Sequence, residues 1–175
     1  MVRWMINKEG ELLLRGIHIR RLETGEPRPM DLLLLADPSE AMVRGYIHRG
    51  ICFVAEMGSR VVGEYVLIET RPQTVELVNV AVREEDQGKG IGKALVHHAI
   101  ATARAMGHRM MELGTGNASI GQIALYQKCG FRIVGVDGDF FTLHYPEPLY
   151  ENGIWCRDMI RMAMNLNNTE SKETL

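Results

Sequence analysis

The sequence predicts a single α/β domain of the α+β kind, built on a mixed, mostly antiparallel sheet of six to seven strands with flanking helices. Three observations carry this. Three β-type runs between Ile51 and Val82 follow one another across short turns, which makes an antiparallel meander. Thr74 to Leu113 then reads strand, glycine-rich elbow, helix, strand, and a helical crossover returns the chain parallel to the strand it left. A further helix and two more strands follow, and a length of 175 residues is enough for one sizeable core.

Taken in order, Met1 to Arg15 carries Lys8, Glu9, Glu11 and Arg15 and does not read as a signal peptide. It is expected to be an extension over 1–15 with a strand or ribbon around Glu11 to Leu14. The domain proper runs over 16–164, and 165–175 is a polar tail. Ile17 to Leu22 alternates apolar and basic side chains, the pattern of a half-exposed strand. Met30 to Ala36 and Ser39 to Arg49 read as short helices, the second with Pro38 at its start, Asp37 or Ser39 as cap and Gly50 as stop. Ile51 to Met57, Arg60 to Thr70 and Thr74 to Val82 are the meander. Gly90 to Met106 is the best helix: Ile91, Leu95 and Ala99 line one stripe beside Val96, Ile100 and Ala103, and Gly107 ends it. Arg109 to Leu113 is the parallel strand. A helix follows from Ser119 to Cys129, then strands over Phe131 to Val136 and Cys156 to Met164. The long segment Asp137 to Trp155 reads as a loop, and loops of that length in compact domains are usually functional.

The elbow is the most informative stretch. Valines on both faces of Thr74 to Val82 mark an interior strand. Arg83 to Asp86 break it with four charges, and Gly88, Gly90 and Gly92 let the backbone approach a ligand where the helix begins. The first N–H groups of a helix lack intrahelical partners and sit at the positive end of its dipole, so this terminus suits a phosphate or pyrophosphate. A Walker A loop fails at Gln87 and Ala94, and a dinucleotide fingerprint starting at Gly88 fails at Lys93.

What fits is Gln-x-x-Gly-x-Gly, as Gln87, Gly90 and Gly92, directly after a valine-rich strand. At the expected distance beyond it, Leu125-Tyr126-Gln127-Lys128-Cys129-Gly130-Phe131 closes the second helix. Together these resemble the two acyl-CoA motifs of the GNAT superfamily of N-acetyltransferases, over roughly Gly16 to Ala163. The resemblance implies a sheet whose central parallel strands splay apart, with a β-bulge near Asn79. It also implies acetyl-CoA as acyl donor and direct transfer to a primary amine of a small molecule or peptide through a ternary complex. The pyrophosphate would lie against Gln87, Gly88, Lys89, Gly90, Ile91, Gly92 and Lys93, with Lys128 reaching the CoA phosphates. The pantetheine would pair with the strand at Val80, Ala81 and Val82. The family often places Asn seven residues before the motif Tyr; here Ser119 stands there and Asn117 two residues earlier, so the pantetheine contact is open between them. Tyr126 would be the general acid for the departing thiolate.

Acetyl transfer also requires an uncharged amine, and an amine of pKa about 10.4 must lose a proton first. Glu76 on the central strand is the first candidate base; Glu64, Glu69, Glu147, Glu151 and His144 are alternatives. The acidic, aromatic composition of Asp137 to Trp155 suits a cationic acceptor. A net charge of −2 gives no reason to invoke nucleic acid or an anionic membrane, and no apolar run approaches the roughly 20 residues of a membrane helix. Cys52, Cys129 and Cys156 form no C-x-x-C pair, so a reduced, cytoplasmic setting is expected and no metal site. A homodimer is compatible with this reading. The rival reading is a non-catalytic acyl-CoA-binding or regulatory module of the same fold.

Overall fold

The computed structural model describes residues 16–167 and two short strands before them, β1 (Trp4–Ile6) and β2 (Leu12–Leu14), which pair antiparallel. The expected ribbon thus has its partner; Glu11, and residues 168–175 of the expected tail, lie outside the described residues. The rest of the architecture is β3 (Ile17–Arg21), α1 (Met30–Ala36), α2 (Glu40–Ile47), β4 (Ile51–Met57), β5 (Arg60–Arg71), β6 (Thr74–Val82), α3 (Ile91–Ala105), β7 (Met110–Gly116), α4 (Ile120–Lys128), β8 (Arg132–Asp137), α5 (Phe140–His144), β9 (Leu149–Glu151), β10 (Ile154–Cys156) and β11 (Met159–Asn165). Seven strands form the main sheet in the order β3-β4-β5-β6-β7-β11-β8. Every neighbouring pair is antiparallel except β6 and β7.

Local chemistry explains most boundaries. Ser39 caps α2 by accepting the Met42 N–H at 3.3 Å, and Asp37 accepts the Ser39 N–H at 3.0 Å. Gly107 and Gly130, at φ of 84° and 101°, stop the two long helices in the left-handed conformation. All six apolar positions assigned to the face of α3 are buried. They pack with Tyr65, Leu67, Leu77 and Leu113 into the larger core; a smaller core lies on the opposite face under α1 and α2, around Leu33, Val43, Ile47 and Val66. Each fully buried Leu or Ile contributes about 1.5–3 kcal/mol, so the α3 face alone outweighs the roughly 1 kcal/mol typical of a helix cap.

One expectation needs revision here. The segment Asp137 to Trp155 is not a plain loop: it holds α5 and most of the β9–β10 hairpin. On α3, His98 is drawn towards the core: its Nδ1 lies 2.7 Å from the Tyr65 hydroxyl, beside the stacked rings of Phe53 and Tyr65.

Candidate functional site

The site begins where the sheet comes apart. β6 and β7 pair only at Thr74–Met110, Val75–Met111 and Glu76–Glu112. In the β5–β6 ladder the register jumps from Leu67–Leu77 to Val66–Asn79, so Val78 is the extra residue of a bulge. That is one residue before the expected position at Asn79. A bulge increases local twist and bends its strand. Past it, β6 stays with β5 while β7 goes on pairing with β11 as far as Gly116, which leaves a gap between the central strands.

The polar edge of β6 is turned into this gap. Arg83 N–H bonds the Val62 carbonyl at 2.9 Å, and alternate residues of an antiparallel ladder face the same way, so Asn79 and Ala81 also face β5. The backbone groups of Val80 and Val82 therefore point to the side β7 has vacated. One of them is already engaged: the Val82 carbonyl accepts Gln87 Nε2 at 3.0 Å. The motif glutamine thus ties the elbow back to the strand.

The elbow itself is held by charges. After a 3-10 turn at Glu84–Asp86, the Asp86 carboxylate receives Lys89 Nζ and Arg60 Nη2, both at 2.7 Å. Hydrogen bonding from Lys89 first, and then from Arg60, holds the Asp86 carboxyl below its usual range. Lys89 is accordingly a loop brace more than a free cation. Gly88 and Gly90 take φ of 73° and 84°, where a side chain is strained. Gly90 is the N-cap of α3 and no side chain caps the helix, so its first N–H groups face outward. Ile91 is buried in the core and offers only its backbone, whereas Lys93 is exposed. Gly92 lies inside the first turn, and a Cβ there would meet Leu125 and Val82 at an ordinary 3.8 Å. The fold gives no steric reason for that glycine.

Tyr126 projects from α4 into the larger core beside Phe131, with 7 % of its surface exposed. Among the described residues no group hydrogen-bonds its hydroxyl, and burial pushes its pKa up. Lys128, two residues on, is exposed. Glu76 sits at the last paired position of β6, with Arg161 Nη1 3.3 Å from Oε1. Burial raises its pKa, and the Arg161 charge opposes that rise.

Beyond the gap, Asn117 makes three of the four hydrogen bonds its amide can make. Its Nδ2 donates to the Trp155 carbonyl, and its Oδ1 accepts the N–H groups of Arg157 and Asp158, at 2.8–3.1 Å. Ser119, the N-cap of α4, donates its hydroxyl to Glu151 Oε2 at 2.6 Å. A hydroxyl that donates once still has lone pairs to accept with. Gly116 lies against Cys156, Ser119 and Phe141, so α5 and the hairpin close over the end of β7.

On the α1–α2 face, Asn79 Nδ2 donates to the Tyr46 hydroxyl at 2.7 Å and to the Leu33 carbonyl at 3.0 Å. The Tyr145 hydroxyl donates to Asp37 Oδ1 at 3.0 Å and joins α5 to the α1–α2 corner. Composition alone did not point to Asp37 or Tyr46, because their partners are remote in sequence. Of the alternative bases, Glu64 is 0 % exposed, and among the described residues neither of its oxygens has a hydrogen-bond partner within normal geometry. Burial raises its pKa well above the ordinary carboxylate range, and the nearby Ala81 amide opposes that rise. Glu151 is occupied by Ser119 and Gln122. Cys52, Cys129 and Cys156 are buried free thiols, and no group of metal-binding side chains occurs among the described residues.

Known proteins share this sequence pattern and fold. The sequence model of the Acetyltransferase (GNAT) family matches residues 17–131. The uncharacterized N-acetyltransferase YvbK of Bacillus subtilis (strain 168) is 54 % identical over 149 residues, covering 83 % of this chain and 96 % of that protein. A GNAT family acetyltransferase from Elizabethkingia anophelis, solved with acetyl-CoA bound, superposes with a TM-score of 0.84 at 43 % identity over 86 % of this chain and 98 % of the other. A Bacillus subtilis acetyltransferase in complex with CoA gives 0.81 at 52 % identity, over 85 % and 98 % of the two chains.

Proposed function

This chain belongs to the acetyltransferase (GNAT) family and takes acetyl-CoA as its acyl donor; from that premise we propose that it acetylates a primary amine of a small molecule or peptide by direct transfer within a ternary complex. The observation that carries the reading is the vacated edge of β6, where the backbone of Val80 and Val82 is left for a ligand's amides. The fold supplies the rest of a fit. The outward N–H groups at Gly88 to Lys93 suit a pyrophosphate, and Gly92 leaves room for close approach. Bound there, the thioester supplies an activated acetyl group.

The chain's own residues then have assigned tasks. Val80, Ala81 and Val82 form the rail for the pantetheine arm. Ser119 is preferred to Asn117 as its side-chain contact, since the Asn117 amide is already used three times. Lys93 and Lys128 are assigned to the phosphate charge, and their exposure supports that role. Glu76 takes the ammonium proton directly or through water, and its raised pKa suits a base working near neutrality. Tyr126 returns a proton to the departing thiolate. Burial makes that phenol a weaker acid, but desolvation raises a departing thiolate in the same sense, so the transfer need not become more uphill.

Among the described residues no helix is long and apolar enough to cross a membrane. Initial rates with both substrates varied test the mechanism. Intersecting double-reciprocal lines are expected, together with loss of turnover but not of acetyl-CoA binding in Tyr126→Phe. Parallel lines with a burst of CoA before any amine is added would refute direct transfer, and full activity of Tyr126→Phe would remove the acid.

A further inference from the structure

A cavity of about 200 Å³ lies between α5 and the β9–β10 hairpin. It is lined by Phe141, Tyr145 and Trp155, two prolines and Leu149, together with Glu147. It adjoins the gap. Phe141 and Cys156, both in its lining, pack on Gly116 at the end of β7 next to Ser119. Its Tyr145 hydroxyl is pinned to Asp37, at the end of the helix that covers Asn79. Glu147 brings one carboxylate to the lining, Asp37 stands behind the Tyr145 hydroxyl, and the rings give the pocket apolar surface.

We propose that this cavity holds the body of the acceptor, and that the acceptor is an amine carried on a short chain by one aromatic ring. The inference rests on the acetyltransferase reading above and names its substrate class. Size decides between candidates. An enclosed cavity of about 150 Å³ accommodates benzene, and this half-open recess of about 200 Å³ has room for one ring and a short alkyl chain, roughly the volume of an arylethylamine. An aminoglycoside is several times too large. A linear polyamine could meet the rings only through its ammonium groups, as Arg157 already does at Trp155, and its thin alkyl chain would leave most of the aromatic surface without a matching partner. Aromatic faces favour offset or edge-to-face ring contacts, which a flat ligand satisfies and an aliphatic chain does not. The ammonium end is drawn by the carboxylates, so the ring enters the cavity while the nitrogen stays on the Asp37 side, towards the gap.

The test is a panel of acceptors at saturating acetyl-CoA, followed by thiol release: arylethylamines, spermidine, an aminoglycoside and ethylamine as the bodiless control. An arylethylamine is expected to give the highest kcat/KM, at least tenfold above ethylamine. Trp155→Ala is expected to raise KM for the aryl substrate about tenfold with little change in kcat, and to leave KM for ethylamine within twofold. Because Trp155 also packs on Arg157, so that its removal disturbs the hairpin as well as the cavity, Leu149→Trp supplies a second reading by filling the cavity: it too is expected to erase the advantage of the ring. Higher kcat/KM for spermidine or the aminoglycoside, or unchanged aryl selectivity in both variants, overturns the proposal. Thermal stabilisation by acetyl-CoA, measured on the same samples, separates the two failures. If acetyl-CoA stabilises the protein and a non-aromatic amine is the preferred acceptor, only the substrate class is wrong. If acetyl-CoA gives no shift and no amine is acetylated, the acetyltransferase reading falls with it.

Discussion

Replacing Glu64 by methionine is expected to make the protein more stable, and more so at higher pH. Glu64 lies on β5 under α1 with no exposed surface and with both carboxyl oxygens unpaired. Leaving a buried polar group without its hydrogen bonds costs about 1–3 kcal/mol, and methionine has nearly the same length with no such group. For a domain of this size each kcal/mol moves Tm by about 2–4 °C, so Glu64→Met is expected to melt about 2–12 °C higher. The pH dependence follows from the direction of the shift. The folded-state pKa is raised, so the native protein keeps a proton that the unfolded chain releases. The contribution of Glu64 is most favourable below the unfolded pKa of about 4.3 and declines as pH rises towards the folded value, by at most about 1.4 kcal/mol per pH unit. Calorimetric or urea melts of both proteins at pH 5, 6.5 and 8 would show a gap that widens with pH. A gap that is constant with pH, or a variant that melts lower, would refute the argument, because Glu64 would then be ionised and paired in solution.

Three further outcomes are expected. Gly92→Ala should stabilise the free protein by about 0.5–1 kcal/mol, since alanine suits a helix better and only ordinary contacts await its Cβ; the same change should weaken acetyl-CoA binding measured by calorimetry. Tyr126→Phe should lower kcat by about 10²- to 10⁴-fold while acetyl-CoA affinity stays within twofold, which single-turnover and binding measurements would separate. The raised pKa of Glu76 predicts that kcat/KM falls as pH drops through it. Glu76→Gln should abolish that acidic limb, and Arg161→Ala should move it to higher pH, because it removes the cation that holds the pKa down.

What could be read from the sequence was what local chemistry dictates. The cap at Ser39, the stops at Gly107 and Gly130 and the buried stripe of α3 are properties of a few consecutive residues, and their boundaries follow to within a residue or two. The glycine elbow was legible for the same reason, since positive φ at Gly88 and Gly90 has a sequence signature. The remaining site features depend on pairs far apart in the chain. Tyr145 meets Asp37 across 108 positions, Arg161 meets Glu76 across 85 and Ser119 meets Glu151 across 32, and no spacing rule connects them. The bulge was displaced from Asn79 to Val78 because its place is set by how β5 and β6 align over several pairs, while the sequence shows only the polar interruption. The hairpin and α5 were hidden in Asp137 to Trp155 because turns and prolines mask three-residue strands that exist only by pairing.

The parting of β6 from β7 also has a consequence for how the domain breathes. Among the described residues only three ladder pairs join the leaf made of β3, β4, β5 and β6 to the leaf made of β7, β11 and β8, with the ion pairs Arg161–Glu76 and Arg71–Glu112 beside them. Amide protons at the middle of a sheet are ordinarily the slowest to exchange with solvent, because opening them requires unfolding the whole molecule. Here the amides of Val80 and Val82, in the middle strand, have no strand to bond. A hydrogen–deuterium exchange map of the free protein is therefore expected to show labile protons in the centre of the sheet, flanked by protected neighbours at Asn79 and Ala81, with the alternation disappearing once a ligand stands in for the missing strand.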